Sequence, residues 1–456
     1  KMSNQSSTIN QSFLARARKV SQGLTNYATS LDAITDASVT ISESESSKFE
    51  VEKGQVTSAI SGSGTVISIR VYSGDKMLSF SRNNLDIDEL KQAILENARN
   101  IHLVPDNPNQ KLTDPAHIYT GKMVDFDLFD DTQRDPDELI DYTKRVEAAA
   151  QGQPGVKGIR KVSGSSNMSR FFKMATNGLE IHESNTSFSV SAVVVAQDSH
   201  GMEVSGEGVV VSHYDDLPDA DELGRKAAQS ATSKLASIMP VTGKVPVVLS
   251  PDAAKTLLSS VLSAVDGGNV YQETTFLKDK LGQKVMSDDF TLIDDPTILR
   301  ALRSGLVDSA GMKQEPITFI ENGVLKSFNM SYKEALQLGR DPIGRNDGPT
   351  NLIVLPGSKS PDELMADIDE GVYVQNFKGG VASVNTGDFS RQAEGLAIKN
   401  GQVTDQALSG FVVAGNLKEM FMNVVLADDT PNLPDPYHPS AAVPTMRLNG
   451  LTISGS

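Results

Sequence analysis

The sequence predicts an α+β protein. Two smaller N-terminal units, each an antiparallel sheet with helices, precede a β-rich C-terminal domain of barrel or sandwich type. Three observations predict this. Within residues 11–240 the order helix, strands, helix, strands occurs twice, although no sequence repeat accompanies it. Asn-Gly pairs at Asn177-Gly178, Asn322-Gly323 and Asn400-Gly401 each join two strand-like runs, and such pairs supply the φ > 0 residues of a tight hairpin. From Ile317 onward short strands and turns dominate. The expected units are 1–110, 111–240 and 241–456.

Taken in order, residues 2–30 are polar with one helical stripe through Phe13, Leu14, Val20 and Leu24. Alternating segments follow at Ala37–Ser46, Lys48–Ile60 and Thr65–Ser73. Lys53-Gly54 and the run Ser61-Gly62-Ser63-Gly64 read as turns between them, giving an antiparallel meander. Leu90, Ile94, Ala98 and Ile101 then mark one helix face. Residues 103–122 hold Pro105, Pro108 and Pro115 with little periodicity and read as a linker or long connection. The next helix opens with Asp135 as cap, Pro136 at its first position and Glu138 three residues after the cap, a capping box. A hairpin about Asn177-Gly178 and a helix over Asp221–Leu235 complete the second unit. Pro240–Pro246 marks the boundary to the third. There Val245–Ser250 reads as a strand, and Ser250-Pro251 caps a helix running to about Val265.

Composition narrows the function classes. Hydrophobic residues make up 38% of 456 before 36 glycines are added, enough for a large core. The longest strongly apolar run, Val190–Ala196, is strand-length, far short of the roughly 18 residues a membrane helix needs. No signal-peptide pattern opens the chain. There are no cysteines, which removes disulfides, thiolate metal sites and a cysteine nucleophile. Together these fit a cytoplasmic location. The net charge of −16 repels phosphate backbones, and the densest basic cluster is only Lys157, Arg160 and Lys161, so direct nucleic-acid binding is not expected.

Candidate chemistry is sparse. The six histidines are His102, His117, His182, His200, His213 and His438, and no two lie within five residues of each other. His182-Glu183 lacks a second histidine and falls in a strand. Asp125, Asp127, Asp130 and Asp131 lack calcium-loop spacing and read as a solvated face. Gly62-Ser63-Gly64 and Gly206-Glu207-Gly208 lack phosphate-loop spacing and read as turns or bulges. Ser259-Ser260 has no nucleophile elbow and reads as helix packing. The block NTGDFSR (385–391) reads as a tight turn closed by Thr386 and Asp388 around Gly387. It is equally compatible with a strand edge and loop lining a groove, where an extended peptide adds by backbone pairing.

That block, with IKNGQV (398–403) and AGNL (414–417), resembles the C-terminal domain of the TldD/PmbA family, also called modulators of DNA gyrase and linked to a metallopeptidase. DSAGMKQEPITFIENGVLKSF (308–328), GRNDGPTNLIV (344–354), DIDEGVYV (367–374), FLKDKLGQKV (276–285) and PTMRLNGLTISG (444–455) match in family order. One branch of the family carries H-E-x-x-x-H on a helix, two metal-binding imidazoles and a general base, with a cysteine near the C-terminus. Here the corresponding positions are Ser259, Ser260 and Ala264, and no cysteine exists. The chain therefore resembles the PmbA (TldE) branch, which lacks the motif.

The resemblance implies a metal-free subunit of a TldD/TldE-type peptidase complex that hydrolyses extended or unfolded peptides. It implies no cofactor on this chain and a divalent metal on a TldD-like partner subunit. Asn385, Asp388, Phe389, Ser390 and Asn416 are the expected peptide-binding residues, and no catalytic residue is expected. The alternative is a stand-alone homodimer that binds peptides or a regulatory protein without cutting.

Overall fold

The computed structural model describes residues 3–132 and 135–455, with side chains from Gln11 onward. The first half is built around one six-stranded antiparallel sheet, β1 (Asp36–Glu52), β2 (Gln55–Ser73), β3 (Lys76–Arg82), β4 (Val156–Ala175), β5 (Glu180–Gln197) and β6 (Met202–Val211), in the order β3-β2-β1-β4-β5-β6. Each half of that sheet is a three-stranded antiparallel unit. Helices α1 (Ser3–Thr29) and α2 (Ile87–Asn100) flank the first three strands, and α3 (Pro136–Gln151) and α4 (Ala220–Thr232) flank the second three. The two units meet along β1 and β4, which pair from Ser38↔Ala175 to Val51↔Val162. The order within each unit is the same, so the structure repeats where the sequence does not.

One sheet face buries the helices. Val39 and Ile41 join Phe13, Leu24, Leu90 and Ile94 in one core. Phe49 and Val51 join Val146, Val190 and Leu223 in another. The middle of the other face is a ladder of hydroxyls and amides, with Ser163–Ser191 at 3.2 Å, Ser165–Ser189 at 2.8 Å and Ser169–Asn185 at 2.7 Å. Cross-strand pairs of this kind stabilise a sheet without burying apolar surface.

Several sequence expectations need correction. The run Ser61–Gly64 is not a turn: it lies inside β2, which with β1 forms one long hairpin closed only at Lys53-Gly54. Gly206 and Gly208 are neither turn nor bulge but strand residues of β6 in regular register with β5. A Cβ on Gly206 would stand 2.1 Å from the Ala192 carbonyl oxygen, so close backbone approach accounts for the glycine. Strand β3 had no sequence signal of its own.

Residues 103–132 are a connection, but a pinned one. Thr113 Oγ1 donates to the Ala310 carbonyl, Tyr119 N–H to that of Gly311, and Phe126 and Leu128 are buried against Leu306. Nor is the acidic cluster simply solvated. Asp130 is buried and accepts from the Thr132 and Tyr214 amides, while Asp127 accepts from Arg300 Nε at 2.6 Å.

The C-terminal domain is barrel-like. Its main strands are β7 (Gly243–Leu249), β12 (Glu370–Ala382), β13 (Asp388–Lys399), β14 (Gln402–Asn416) and β17 (Met446–Gly455). They run β14-β13-β12-β7-β17, and β17 pairs back onto β14 at Thr452↔Ala414, closing the ring. Strand β15 (Val425–Leu426) adds to β17. A second sheet of short strands packs alongside: β8 (Leu292–Asp294), β9 (Ile317–Glu321), β10 (Val324–Leu325), β11 (Leu352–Val354) and β16 (Ala441–Ala442). Helix α5 (Pro251–Ala264) packs through Leu257, Leu258 and Val261 into the shared core, with Ser250 Oγ capping Ala253 N–H as the sequence indicates.

Candidate functional site in the cleft between sheet and barrel

Alternation along β13 sets up the site. Phe389, Ala393 and Ala397 are buried, so Asp388, Ser390 and Glu394 share the opposite face. Where Glu394 lies, that face meets β6 and the end of α4 across a cleft of about 960 Å³. Tyr373, Gln375 and Lys378 of β12 line the barrel side. Ser205, Glu207 and Lys226 line the opposite wall.

The cleft is strongly charged. Glu394 accepts from Lys234 Nζ at 2.5 Å and Lys378 Nζ at 2.7 Å, and Lys234 also donates to Ser205 Oγ. Burial pushes the Glu394 carboxyl up, but hydrogen bonds from the two lysines outweigh it and hold the group below its ordinary range. Glu207 goes the other way: burial raises it, only partly offset by the Gly208 N–H. Beside it Lys226 Nζ stands 3.9 Å from the centre of the Tyr437 ring. One wall therefore offers a carboxyl whose charge burial disfavours, the other a carboxylate held between two cations. Such a surface can bind the alternating donors and acceptors of an extended peptide. Lys234 and Glu394 are 160 residues apart, so no local pattern could have flagged them.

The positions matching the family's metal motif do not form a donor set. Ser259 Oγ donates to the Lys255 carbonyl at 2.9 Å and Ser260 Oγ to that of Thr256 at 3.3 Å. Ser260 is buried, and Ala264 is a fully buried methyl. Hydroxyls turned back onto their own helix and a methyl cannot replace imidazoles. Among the described residues, no group of three or more His, Cys, Asp or Glu is placed to hold a metal ion.

The NTGDFSR block adopts the turn. Gly387 has φ 93°, its N–H donates to the Ser383 carbonyl, and Thr386 Oγ1 donates to Asp388 Oδ2 at 2.7 Å. Asn416 caps the helix Leu417–Asn423 through Lys418 N–H, and a Cβ on Gly387 would lie 2.8 Å from Asn416 Oδ1. The strand edge expected to accompany the turn is absent. Strand β13 is interior, with Ser390 paired to Val381 on one side and Ala414 on the other. Phe389 is buried edge-on against Phe377 at 5.5 Å. Asn385, Asp388 and Ser390 are exposed and Asn416 is half-buried. A ligand at the strand part of this block, from Phe389 onward, would meet side chains, because the backbone there is paired on both sides.

Two other sequence blocks serve the fold. Fully buried Arg345, from GRNDGPTNLIV, donates to Asp294 Oδ2 at 2.5 Å and to the Gly344 and Glu315 carbonyls. Asp294 also accepts from Thr350 N–H and Oγ1. Asp308, from DSAGMKQ, accepts from the Ala310, Met312 and Asn346 amides.

Comparison with known proteins places this architecture. Three domain profiles of one family match: PmbA/TldA metallopeptidase domain 1 over residues 37–101, the central domain over 129–235 and the C-terminal domain over 242–455. The chain is 28% identical to metalloprotease PmbA of Escherichia coli O157:H7, over 91% of this chain and 92% of that one. It is 26% identical to the PmbA homologue of Haemophilus influenzae, over 84% and 85%. The crystal structure of a Bacteroides thetaiotaomicron protein named for modulation of DNA gyrase superposes with a TM-score of 0.88 at 27% identity, over 96% and 99%. TldE of Thermococcus kodakarensis shares the fold, with a TM-score of 0.82 at 19% identity, over 96% and 100%. The chain belongs to the PmbA/TldD metallopeptidase family.

Proposed function

We propose that this chain is the metal-free subunit of a TldD/TldE-type peptidase. It binds extended or unfolded peptide and supplies part of the chamber, while a metal-bearing relative supplies the catalytic metal and the chemistry. The observation that carries this reading is the state of α5. Its motif-equivalent hydroxyls are spent on helix carbonyls and its third position is a methyl. The cleft supports the substrate class, because a charged slot between sheet and barrel admits a single extended chain more readily than a folded domain.

The test is reconstitution. An unstructured peptide is incubated with this chain, with its metal-bearing relative, and with the mixture. Hydrolysis should be fast only in the mixture, stop with chelator, and slow when Lys378→Glu reverses charge in the cleft. Hydrolysis by this chain alone would sink the proposal.

A further inference from the structure

A second cavity, of about 240 Å³, lies where the six-stranded sheet, the pinned connection and the C-terminal domain meet. It shares no lining residue with the cleft. Register builds its sheet side. Ile69, Val71 and Phe172 enter the core under the helices, so Arg70 of β2 and Lys173 of β4 stand on the opposite face. Ser38 pairs with Arg70 and Thr40 with Lys173, so the two cations flank β1 two residues apart along it. Lys111 enters from the connection and Lys333 from the helix Tyr332–Leu338. Four cations therefore line one small cavity, and no carboxylate lines it, in a chain with 58 acidic and 42 basic side chains.

The nearby carboxylates are spent elsewhere. Asp308 accepts from the Ala310, Met312 and Asn346 amides, and Asp347 accepts from Ser309 N–H and Oγ. Lys173 Nζ donates to the Ser309 carbonyl at 2.5 Å, a neutral partner. Burial lowers the Lys173 ammonium, and the Arg70 guanidinium lowers it further, which outweighs the pull of Asp347 and Asp308. The cavity thus concentrates positive charge that the described side chains do not neutralise, and an anion between these groups would relieve the repulsion.

We infer that this cavity binds a small organic phosphate. Arginine and lysine together suit a phosphate group, which accepts charge-assisted hydrogen bonds and carries close to two negative charges at neutral pH. Tyr72, Leu112 and Leu179 line the same cavity and offer apolar surface to the organic part. The volume falls below the roughly 300–1,000 Å³ of sites for drug-sized ligands, so the organic part is small. Because its walls come from the sheet, the connection and the C-terminal domain, the bound phosphate would join all three. The inference does not rest on the peptidase reading, since it requires neither metal nor peptide.

The test is calorimetric titration of the full chain in a phosphate-free chloride buffer at constant ionic strength. Phenyl phosphate should bind at one site per chain, about tenfold or more tighter than inorganic phosphate, because burial of its ring adds to the charged contacts. Lys173→Met removes a contact between sheet and barrel, so the exposed Arg70 and Lys333 carry the test. Arg70→Gln and Lys333→Gln should each weaken phenyl phosphate binding about tenfold with unchanged circular dichroism. Lys378→Glu, in the cleft, should leave it unchanged. No saturable binding at millimolar phenyl phosphate would overturn the inference, as would equal affinity for inorganic phosphate. So would loss of binding in Lys378→Glu with full binding in Arg70→Gln, which would put the anion in the cleft.

Discussion

Arg345 and Asp294 share a site with no exposure at either side chain, and every strong donor and acceptor there is used. Such a pair adds little net stability over a well-packed apolar substitute, but breaking it strands a charge. Asp294→Ala should therefore cost about 3–5 kcal/mol in urea unfolding. Adding Arg345→Met should restore part of that loss, whereas a merely additive double variant would show that the pair is not coupled. The residue scale is also where sequence reading reached least far. GRNDGPTNLIV was legible as a family block, yet nothing in it says that its arginine is buried and structural, because Asp294 lies 51 residues away. Ser259 and Ser260 were legible as poor ligands from residue type alone. That their hydroxyls are turned onto the helix required the structure.

Among elements, local signals were read well and non-local ones poorly. Asp135 and Ser250 cap their helices as their spacing indicates, since a cap is satisfied within three residues. Ser61–Gly64 was misread because glycine and serine mark turns in general, whereas here small side chains extend a strand whose partners are set by pairing with β1. The link between β13 and the end of α4 had no local signature at all. It rests on Glu394, whose carboxyl is held below its ordinary value of 4.5 by Lys234 and Lys378 against the opposing effect of burial. The sign follows directly. The folded state binds this proton more weakly than the unfolded state, so the contribution is complete above pH 4.5 and is lost as pH falls through the depressed folded value. Glu394→Gln should flatten the acid limb of the stability curve and change it least below that window. An acid limb identical to the parent's would show that the lysines do not act through this carboxylate.

At the scale of the whole molecule, the fold class was legible because helix and strand periodicities alternate along the chain. The joining of the two N-terminal units into one sheet was not, since β1 and β4 are separated by more than a hundred residues and carry no pairing code. The clamp between halves was equally hidden: Arg300 reaches Asp127 and Asp216, and Lys173 reaches the Ser309 carbonyl. These contacts hold the sheet against the barrel and so shape the cleft. The central claim is that this architecture works with a metal that the chain itself does not ligate. The most direct measurement is the metal content of each chain, purified separately after loading with divalent metal and then recovered from the active mixture. The account predicts that metal follows the metal-bearing relative and that this chain retains substoichiometric amounts. One tightly held, activity-linked metal per copy of this chain would contradict it.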